Sequence, residues 1–349
     1  MQTPRDEHRR AAIQSLPPLG SQPLVSTIIP TFKRADMLPR AVRSVLAQRY
    51  SNVEVLVVDD NTDEQEQRRV REVLEPFGPR VRLLRNARAK GACGARNTGI
   101  MSARGELIGF LDDDDRWLPE KLTEQVRLLT QDVCIGALCS YIEIDFVFGH
   151  AVSCRGFEPV LTREMALSGV CPTSTSLALV RRDVLIEAGL FDENLPSFQD
   201  YDMWLRCLEY GQLRYVQTPL VEFVQHSGDR TSVNIERRLK GLAAFERKWG
   251  DAMSAFQDFE AFRRRMHVDA LIANGRAALS YGHRAAVTHF ARAAWRDRAS
   301  TRSLFWLAIG LLGPRAGRGF YRWLQQVRRV ETLRPDELDA ESAARSLQS

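Results

Sequence analysis

Short apolar runs alternate with amphipathic segments along the first part of the chain. Four runs rich in β-branched and aliphatic residues predict buried strands, at 25–29, 53–58, 81–84 and 106–111. The segments between them carry apolar residues at helical spacing, at 36–48, 62–75 and 92–103, and a further helix is predicted to open at Pro119. Regular strand–helix alternation predicts an α/β fold, with a mostly parallel sheet and helices on both of its faces.

The pattern changes beyond residue 135. Short predicted strands alternate with short helices as far as residue 225, which is typical of α+β structure and would complete the sheet. From Asn234 the spacing is helical, and residues 266–298 resemble one tetratricopeptide-type helix pair, which we interpret as a C-terminal helical appendage. The expected organisation is a flexible lead-in, an α/β domain, a helical C-terminal region and a flexible tail, at 1–22, 23–232, 233–335 and 336–349.

Polar residues follow three of the predicted strands. The segment 31–34 follows the first strand, Asp59 and Asp60 follow the second, and the run 112–115 of four aspartates follows the fourth. Ligands of open α/β sheets bind at the carboxyl ends of the strands, so we expect these residues to line one crevice. Consecutive aspartates repel one another unless a cation neutralises them, and Mn²⁺ and Mg²⁺ prefer carboxylate and phosphate oxygens. The run is therefore either a metal site or a solvated turn, with Asp115 near the positive end of the next helix.

Four segments resemble, in order, the motifs of family 2 glycosyltransferases. They are VSTIIPTF from Val25, EVLVVDDNTD from Glu54, GACGARNTG from Gly91 and FLDDDDRWLP from Phe110. The resemblance covers about residues 24–227, and Asn61 with Thr62 departs from the usual Gly-Ser pair of the family. It implies a Rossmann-like GT-A-type fold and a nucleotide-sugar-dependent enzyme of bacterial surface-polysaccharide assembly.

The same resemblance implies which residues hold the nucleotide base. Pro30 and Phe32 would lie beside the base, because an aromatic face suits stacking, unless Phe32 is a core residue at the end of a strand. Asp60 would accept a hydrogen bond from the ring N–H of the base, as the second aspartate of the family motif does. These three residues form the predicted base side of the donor site.

Other motif residues would hold the ribose and the diphosphate. The resemblance implies that Asp112 contacts the ribose and that Asp114 ligates a metal on the diphosphate, with Asp113 in support. Arg96 would lie on the diphosphate side, unless Arg96 and Asn97 only cap or pair within their own helix. The cofactor implied is Mn²⁺ or Mg²⁺.

A further segment, SFQDYDMWLR from Ser197, resembles the E-D-x-x-x-W-x-x-R segment of the family, whose aspartate is the catalytic base. Gln199 replaces the usual glutamate, Asp200 takes the position of the base, and Asp202 is a competing candidate, although both acids could simply begin a helix. Inverting transfer needs a carboxylate that deprotonates the attacking hydroxyl. His226 follows the last strand and is predicted either as a further metal ligand or as a hydrogen-bonded loop residue.

Charge and composition bear on partners and location. The formal net charge is +5, and an apolar run at 304–312 is followed by arginines with interleaved aromatic residues. That composition fits an interfacial helix on an anionic membrane, or a helix that packs on the protein with a solvated basic face. The aromatic residues belong to no recognised nucleic-acid module, so we expect no nucleic-acid partner. The charged first ten residues and six irregularly spaced cysteines predict a cytoplasmic protein.

These observations combine into one functional hypothesis. We expect an inverting glycosyltransferase that moves a sugar from a UDP-sugar or similar donor to a glycan or lipid-linked acceptor, peripherally at the inner face of the cell membrane. One alternative is a non-catalytic homologue that binds a nucleotide-sugar as an assembly subunit. The other is a sugar nucleotidyltransferase, which would need a glycine-rich phosphate loop that residues 30–34 lack.

Overall fold

The computed structural model describes most of the chain, namely residues 18–145, 150–154, 158–171, 174–225, 234–280, 285–297, 300–313, 315–317 and 319–320. Contacts divide the chain into two compact units. The first comprises residues 1–142, 154–194 and 199–223, and the second comprises residues 143–153, 195–198 and 224–349.

The strands belong to one ten-stranded sheet. They are β1 Val25–Thr31, β2 Val53–Asp59, β3 Val81–Arg85, β4 Leu107–Phe110, β5 Arg116–Trp117, β6 Gly136–Asp145, β7 His150–Cys154, β8 Val160–Leu161, β9 Leu179–Arg181 and β10 Leu213–Gln225. The helices are α1 Leu38–Leu46, α2 Glu64–Leu74, α3 Ala92–Ser102, α4 Lys121–Gln131, α5 Arg163–Leu167, α6 Arg182–Glu187, α7 Gln199–Cys207, α8 Ile235–Ser254, α9 Phe259–Ser280, α10 Ala285–Arg296 and α11 Thr301–Leu311.

The strand order is β3-β2-β1-β4-β9-β6-β10-β5. The first four strands are parallel, with Val25 of β1 opposite Val53 of β2 and Leu107 of β4. Beyond β4 the sheet is antiparallel, because β9 pairs antiparallel with both β4 and β6, and β10 pairs antiparallel with β5 and β8. The predicted α/β fold with a parallel sheet and a C-terminal helical region is confirmed, and residues 135–225 complete the sheet as expected.

Helices cover both faces of the parallel strands. Side chains alternate between the two faces of a strand, so Val25 and Ile29 of β1 share one face, where they join a buried cluster with residues of α1, α2 and α4. Ile28 points to the opposite face, against α3. A Cβ added at Gly99 of α3 would lie 2.5 Å from Ile28 Cγ2, so the glycine permits the close approach of this helix to the sheet.

The structure differs from the predicted elements around the acidic run. The helix α4 begins at Lys121 and not at Pro119, because Arg116 and Trp117 first form the two-residue strand β5. Trp117 lies opposite Val221 of β10, and its buried ring donates from Nε1 to the carbonyl of Ser176 at 2.9 Å. In the region of short predicted strands, β10 is one continuous strand of 13 residues, and β9 begins at Leu179, after a 3₁₀ turn.

The second unit contains the helices α8 to α11. Asn234 caps α8 by accepting a hydrogen bond from the backbone N–H of Arg237 at 2.9 Å. The helices α9 and α10 pack on each other, and the ring of Phe290 lies against Gly275, where a larger side chain would collide with it. The predicted helix pair is therefore present. Among the helices in the described ranges, none is both long and apolar enough to cross a bilayer.

Candidate active site

The carboxyl ends of β2, β1 and β4 lie side by side, because these strands are neighbours in the sheet. The backbone N–H of Asp60 donates to the carbonyl of Thr31 at 3.0 Å, which joins the end of β2 to the end of β1. The acidic run follows β4 directly. The polar residues that follow three separate strands are therefore gathered at one edge of the sheet, as their positions predicted.

The acidic run is not a solvated turn. Asp113, Asp114 and Asp115 are only 1%, 8% and 1% exposed, which excludes the solvated alternative. Asp115 lies before β5, and five residues separate it from Lys121, the first residue of α4. Buried carboxylates require partners or a cation, because an unpaired buried charge is costly.

One hydroxyl group and one guanidinium group hold the buried Asp113 in place. Thr31 Oγ1 donates to Asp113 Oδ2 at 2.8 Å, and Arg34 Nη2 lies 2.7 Å from Asp113 Oδ1. Arg34 Nη1 donates to Asp114 Oδ2 at 2.7 Å, so the guanidinium bridges the two acids. Burial raises the pKa of Asp113 to about 7, and Asp114 adds to the rise, while Arg34 opposes it.

The other three aspartates form a cluster that suits a hard divalent cation. Asp112, Asp114 and Asp115 can each offer one carboxylate oxygen, and the three oxygens lie within 4.8 Å of one another. Ser176 fixes the geometry, because its hydroxyl donates to Asp115 Oδ2 at 2.6 Å and accepts from the backbone N–H of Asp112 at 3.1 Å. Carboxylate oxygens at this spacing are the ligands that Mg²⁺ and Mn²⁺ prefer, so the residues present fit such an ion.

Arg96 reaches from α3 to the acidic run. Its Nη2 donates to Asp112 Oδ1 at 2.6 Å, and its guanidinium lies 5.6 Å from the ring centroid of Phe191. The side chain is buried, and its Nε has no hydrogen-bond partner among the described residues. Asn97 instead bonds the backbone of Phe191 in both directions. The alternative that Arg96 only pairs within its own helix is therefore wrong, whereas Asn97 braces a loop.

The predicted base side has an exposed ring and an anchored acid. Phe32 follows β1 and is 37% exposed, with Lys90 Nζ 4.8 Å from its ring centroid, so it is not a core aromatic. Pro30 is buried within β1. Asp60 accepts from Asn86 Nδ2 at 2.6 Å and from the backbone N–H of Gly91 at 2.9 Å. Each carboxylate oxygen can accept a second bond, so Asp60 retains capacity for a ligand.

Asp202 is held by the protein itself. It is fully buried in α7, and its carboxylate accepts from Nη2 of Arg206, one helical turn later, at 2.7 Å. Arg206 also donates from Nη1 to the carbonyl of Leu190 at 2.6 Å and to the carbonyl of Ala188. The pair ties the start of α7 to the loop that follows α6, which is a structural role.

Asp200 has a different environment in the first turn of the same helix. It is half-buried, and its carboxylate accepts from the backbone N–H of Tyr201 at 2.9 Å. Burial raises the pKa of Asp200, the Tyr201 N–H and the charge of Arg96 lower it, and the charge of Asp112 raises it further. Asp200 therefore lies in the electrostatic field of the acidic run and of the arginine that is bound to it.

One predicted site residue is not described, and several partners of the acidic residues were not predicted. His226 falls outside the described residues, so its role as a metal ligand stays a prediction. Sequence reasoning missed Arg34 and Ser176 as partners of the acidic run and Asn86 as the partner of Asp60. Ser176 ends a hydroxyl-rich segment, 173–176, and Arg34 belongs to the polar segment that follows the first strand.

Comparisons with known proteins show which family the chain resembles. The sequence model described as Glycosyl transferase family 2 matches residues 26–189. WcaA of Escherichia coli strain K12, named as a colanic acid biosynthesis glycosyl transferase, is 29% identical over 262 residues, which cover 71% of this chain and 90% of WcaA. WfaP of Escherichia coli is 30% identical over 191 residues, which cover 54% of this chain and 71% of WfaP.

The chain belongs to glycosyl transferase family 2. Its fold is also similar to that of a solved structure, the Staphylococcus aureus protein TarS 1-349 in complex with UDP-GlcNAc. The TM-score is 0.52 at 15% identity, and the alignment covers 88% of this chain and 91% of that one. The family match includes the ends of β1, β2 and β4 in this glycosyltransferase, but it stops before α7, which carries Asp200.

Proposed function

We propose that this family 2 glycosyltransferase is a metal-dependent, inverting enzyme that moves a sugar from a UDP-sugar to a hydroxyl of a lipid-linked acceptor during polysaccharide assembly. One observation carries the proposal: a three-carboxylate cluster lies beside Arg96, whose charge also acts on the half-buried Asp200. WfaP supports the donor and acceptor classes, because it is named as a β-1,3-glucosyltransferase that uses UDP-Glc and a diphosphoundecaprenol-linked GlcNAc.

The donor would bind across the ends of β2, β1 and β4. Phe32 would offer its exposed ring face to the base beside Pro30, and Asp60, anchored by Asn86, would accept the ring N–H. Asp112 would contact the ribose. These residues lie on one edge of the sheet, so a single extended nucleotide could reach all of them.

The diphosphate would lie at the acidic cluster. Asp114 would be the principal ligand of Mn²⁺ or Mg²⁺, with Asp115 close enough to share the ion, and His226 remains a proposed further ligand. Asp113 would act in support, since its contacts with Thr31 and Arg34 hold the run in place. The bound cation would neutralise charge on the leaving diphosphate. Arg96 would remain on the diphosphate side and orient Asp112.

Asp200 would be the catalytic base. It would accept the proton of the acceptor hydroxyl while that oxygen attacks the anomeric carbon, and the bond to the diphosphate would break with its electron pair leaving on UDP. Attack opposite the leaving group inverts the anomeric configuration. A pKa raised by burial suits this role, because a base works best when its pKa approaches the operating pH.

The test is direct transfer by the purified protein. UDP-sugars are incubated with Mn²⁺ and a synthetic diphosphate-lipid acceptor, and NMR of the product gives the anomeric configuration. Asp114→Ala and Asp200→Asn should each lower kcat by at least about 100-fold, because metal and base contribute at that scale. Asp36→Asn is the matched control, since Asp36 is an exposed aspartate paired with Arg69. Full turnover by Asp114→Ala, or a retained configuration, would contradict the proposal.

Binding separates the enzyme from a non-catalytic homologue. Titration calorimetry with UDP, with and without Mn²⁺, measures binding in the absence of transfer. UDP binding without any turnover would favour the assembly-subunit alternative.

The division into a catalytic domain at 23–232 and a helical region at 233–335 also stays a prediction, which limited proteolysis of the full chain can check.

We also propose that α11 rests on an anionic membrane at the inner face of the cell membrane. Leu304, Leu311 and Leu312 are 49%, 69% and 51% exposed, although the opposite face of the helix packs through Trp306. Arg315 follows and is also exposed. Apolar residues with flanking cations suit an anionic lipid surface. Flotation with anionic vesicles should be lost in Leu311→Glu/Leu312→Glu and should persist in the exposed control Glu124→Gln, and equal flotation would discard the idea.

A further inference from the structure

Arg34 is the strongest partner of the acidic run that the proposed chemistry leaves without a role of its own. It lies in the turn between β1 and α1, and its guanidinium contacts Asp113 and Asp114 at 2.7 Å each. Its side chain is 29% exposed, whereas those of Asp113 and Asp114 are 0% and 5% exposed. Arg34 is therefore the solvent-facing member of a small buried ion cluster.

A divalent cation and Arg34 would make opposing demands on one residue. Asp114 belongs to the three-carboxylate cluster that fits a metal, and it is also the acceptor of the Arg34 guanidinium. Two cations that share one carboxylate repel each other strongly at such short range inside a protein. The four aspartates of the run all act on the charge of Arg34, so the guanidinium lies within the field that would attract the metal.

We propose that Arg34 is a resident counter-ion, which stabilises the acidic run in the nucleotide-free enzyme and competes with the divalent metal for Asp114. The inference rests on the metal site of the proposed function. In the absence of a nucleotide the metal then binds weakly, because it must displace the Arg34 guanidinium from Asp114 or share the carboxylate with it. A donor diphosphate relieves the competition, since phosphate oxygens add ligands for the metal and are good partners for an arginine. Arg34 in this way couples metal binding to donor binding.

The decisive experiment measures metal affinity without turnover. Free Mn²⁺ is followed by EPR during titration of the full-length protein, with and without UDP and with no acceptor present. Arg34→Gln should bind Mn²⁺ alone about tenfold or more tightly than the wild type does, which corresponds to about 1.4 kcal/mol. UDP should tighten Mn²⁺ binding less in this variant than in the wild type, because the competition that UDP relieves has been removed.

Two variants control for charge and shape. Arg34→Lys keeps the positive charge, so its Mn²⁺ affinity should stay within about threefold of the wild-type value even though lysine cannot bridge two carboxylates. Arg49→Gln removes an exposed arginine that pairs with Glu120, and its Mn²⁺ affinity should not change. If Arg34→Gln unfolds in metal-free buffer, Mn²⁺ should restore its melting transition, and failure to restore it would overturn the proposal.

The outcomes separate this inference from the proposed function. Equal or weaker Mn²⁺ binding by Arg34→Gln, in a series whose wild type binds Mn²⁺ with UDP, would show that Arg34 orients the acids and does not compete with the metal. That result would overturn the counter-ion role and leave the metal site intact. Absence of Mn²⁺ binding in every variant, even with UDP, would refute both the metal site and the inference.

Discussion

Glu54 on β2 is the acid with the largest number of described hydrogen bonds, and its replacement tests how charge stabilises the sheet. Its Oε1 accepts from Ser26 Oγ at 2.6 Å and from the backbone N–H of Arg104 at 2.7 Å. Its Oε2 accepts from Arg82 Nη1 at 3.0 Å and from Arg104 Nε at 2.9 Å. Glu54→Gln keeps the shape of the side chain but removes the charge, so we expect it to weaken the sheet between β1 and β2.

The magnitude follows from the pKa. Burial raises the pKa of Glu54, but the hydrogen bonds from Ser26, Arg104 and Arg82 outweigh it and bring the pKa from 4.5 to about 2. One pKa unit is worth about 1.36 kcal/mol, so the ionised side chain contributes about 3 kcal/mol to the free energy of unfolding at pH 7. Because the folded pKa is lowered, this contribution is complete above the unfolded pKa and is lost as the pH falls toward 2. Less than half of this contribution remains at pH 3.

Hydrogen exchange of the β1 and β2 amides, read by mass spectrometry, reports this sheet independently of the C-terminal helices. At each pH the variant is compared with the wild type, so the intrinsic exchange chemistry cancels. Glu54→Gln should exchange roughly 150-fold faster at pH 7 and about tenfold faster at pH 3. Glu124→Gln, which breaks an exposed pair with Arg127, should change exchange little at either pH. The same ratio at both pH values would refute the reasoning.

Four further substitutions test three individual features. Lys33 has a left-handed backbone with φ of 54°, so Lys33→Asn should raise the free energy of unfolding by about 0.5–1 kcal/mol in urea melts, and a decrease would contradict that strain. Asp202→Asn should lower the free energy of unfolding by about 3–5 kcal/mol, because it breaks a buried ion pair with Arg206. Asp200→Asn should instead abolish sugar transfer with little loss of stability. The reverse pattern would reassign the two roles. Ser176→Ala should lower stability by about 1–3 kcal/mol and weaken Mn²⁺ binding measurably, and unchanged binding would remove its positioning role.

The parallel half of the sheet could be predicted because its signals are local. Each of β1 to β4 is a compact apolar run, and each helix between them shows its own periodicity. The succession of these elements along the chain and the α/β layering therefore follow without long-range information. The edge strand β5 could not be predicted, because two residues carry no periodicity. Arg116 and Trp117 become a strand only because β10, about 100 residues later, offers a partner. This pairing is also what delays the start of α4 beyond Pro119.

The spacing of the two acids of α7 carries information that distinguishes their roles. Asp200 and Asp202 are two residues apart, which places them roughly 200° apart around a helix, so they cannot share one environment. The spacing of Asp202 and Arg206 is that of an i,i+4 ion pair, and this pair is what the structure contains. The choice between the two acids as the candidate base could therefore have been made from their spacing alone. Which face of the helix is buried could not be predicted, because it depends on the carbonyls of Ala188 and Leu190.

The charge balance of the acidic run explains why the chain tolerates four consecutive aspartates. Arg34 pairs with Asp113 and Asp114, and Arg96 pairs with Asp112, so two arginines face four carboxylates. With all four aspartates ionised, the excess of two negative charges would match one divalent cation, whereas a run with no arginines would repel itself. Arg34 follows β1 and Arg96 lies in α3, so both are distant in sequence from the run and the balance arises only from the fold. Residues distant in sequence therefore compensate part of the charge of the run in the folded protein.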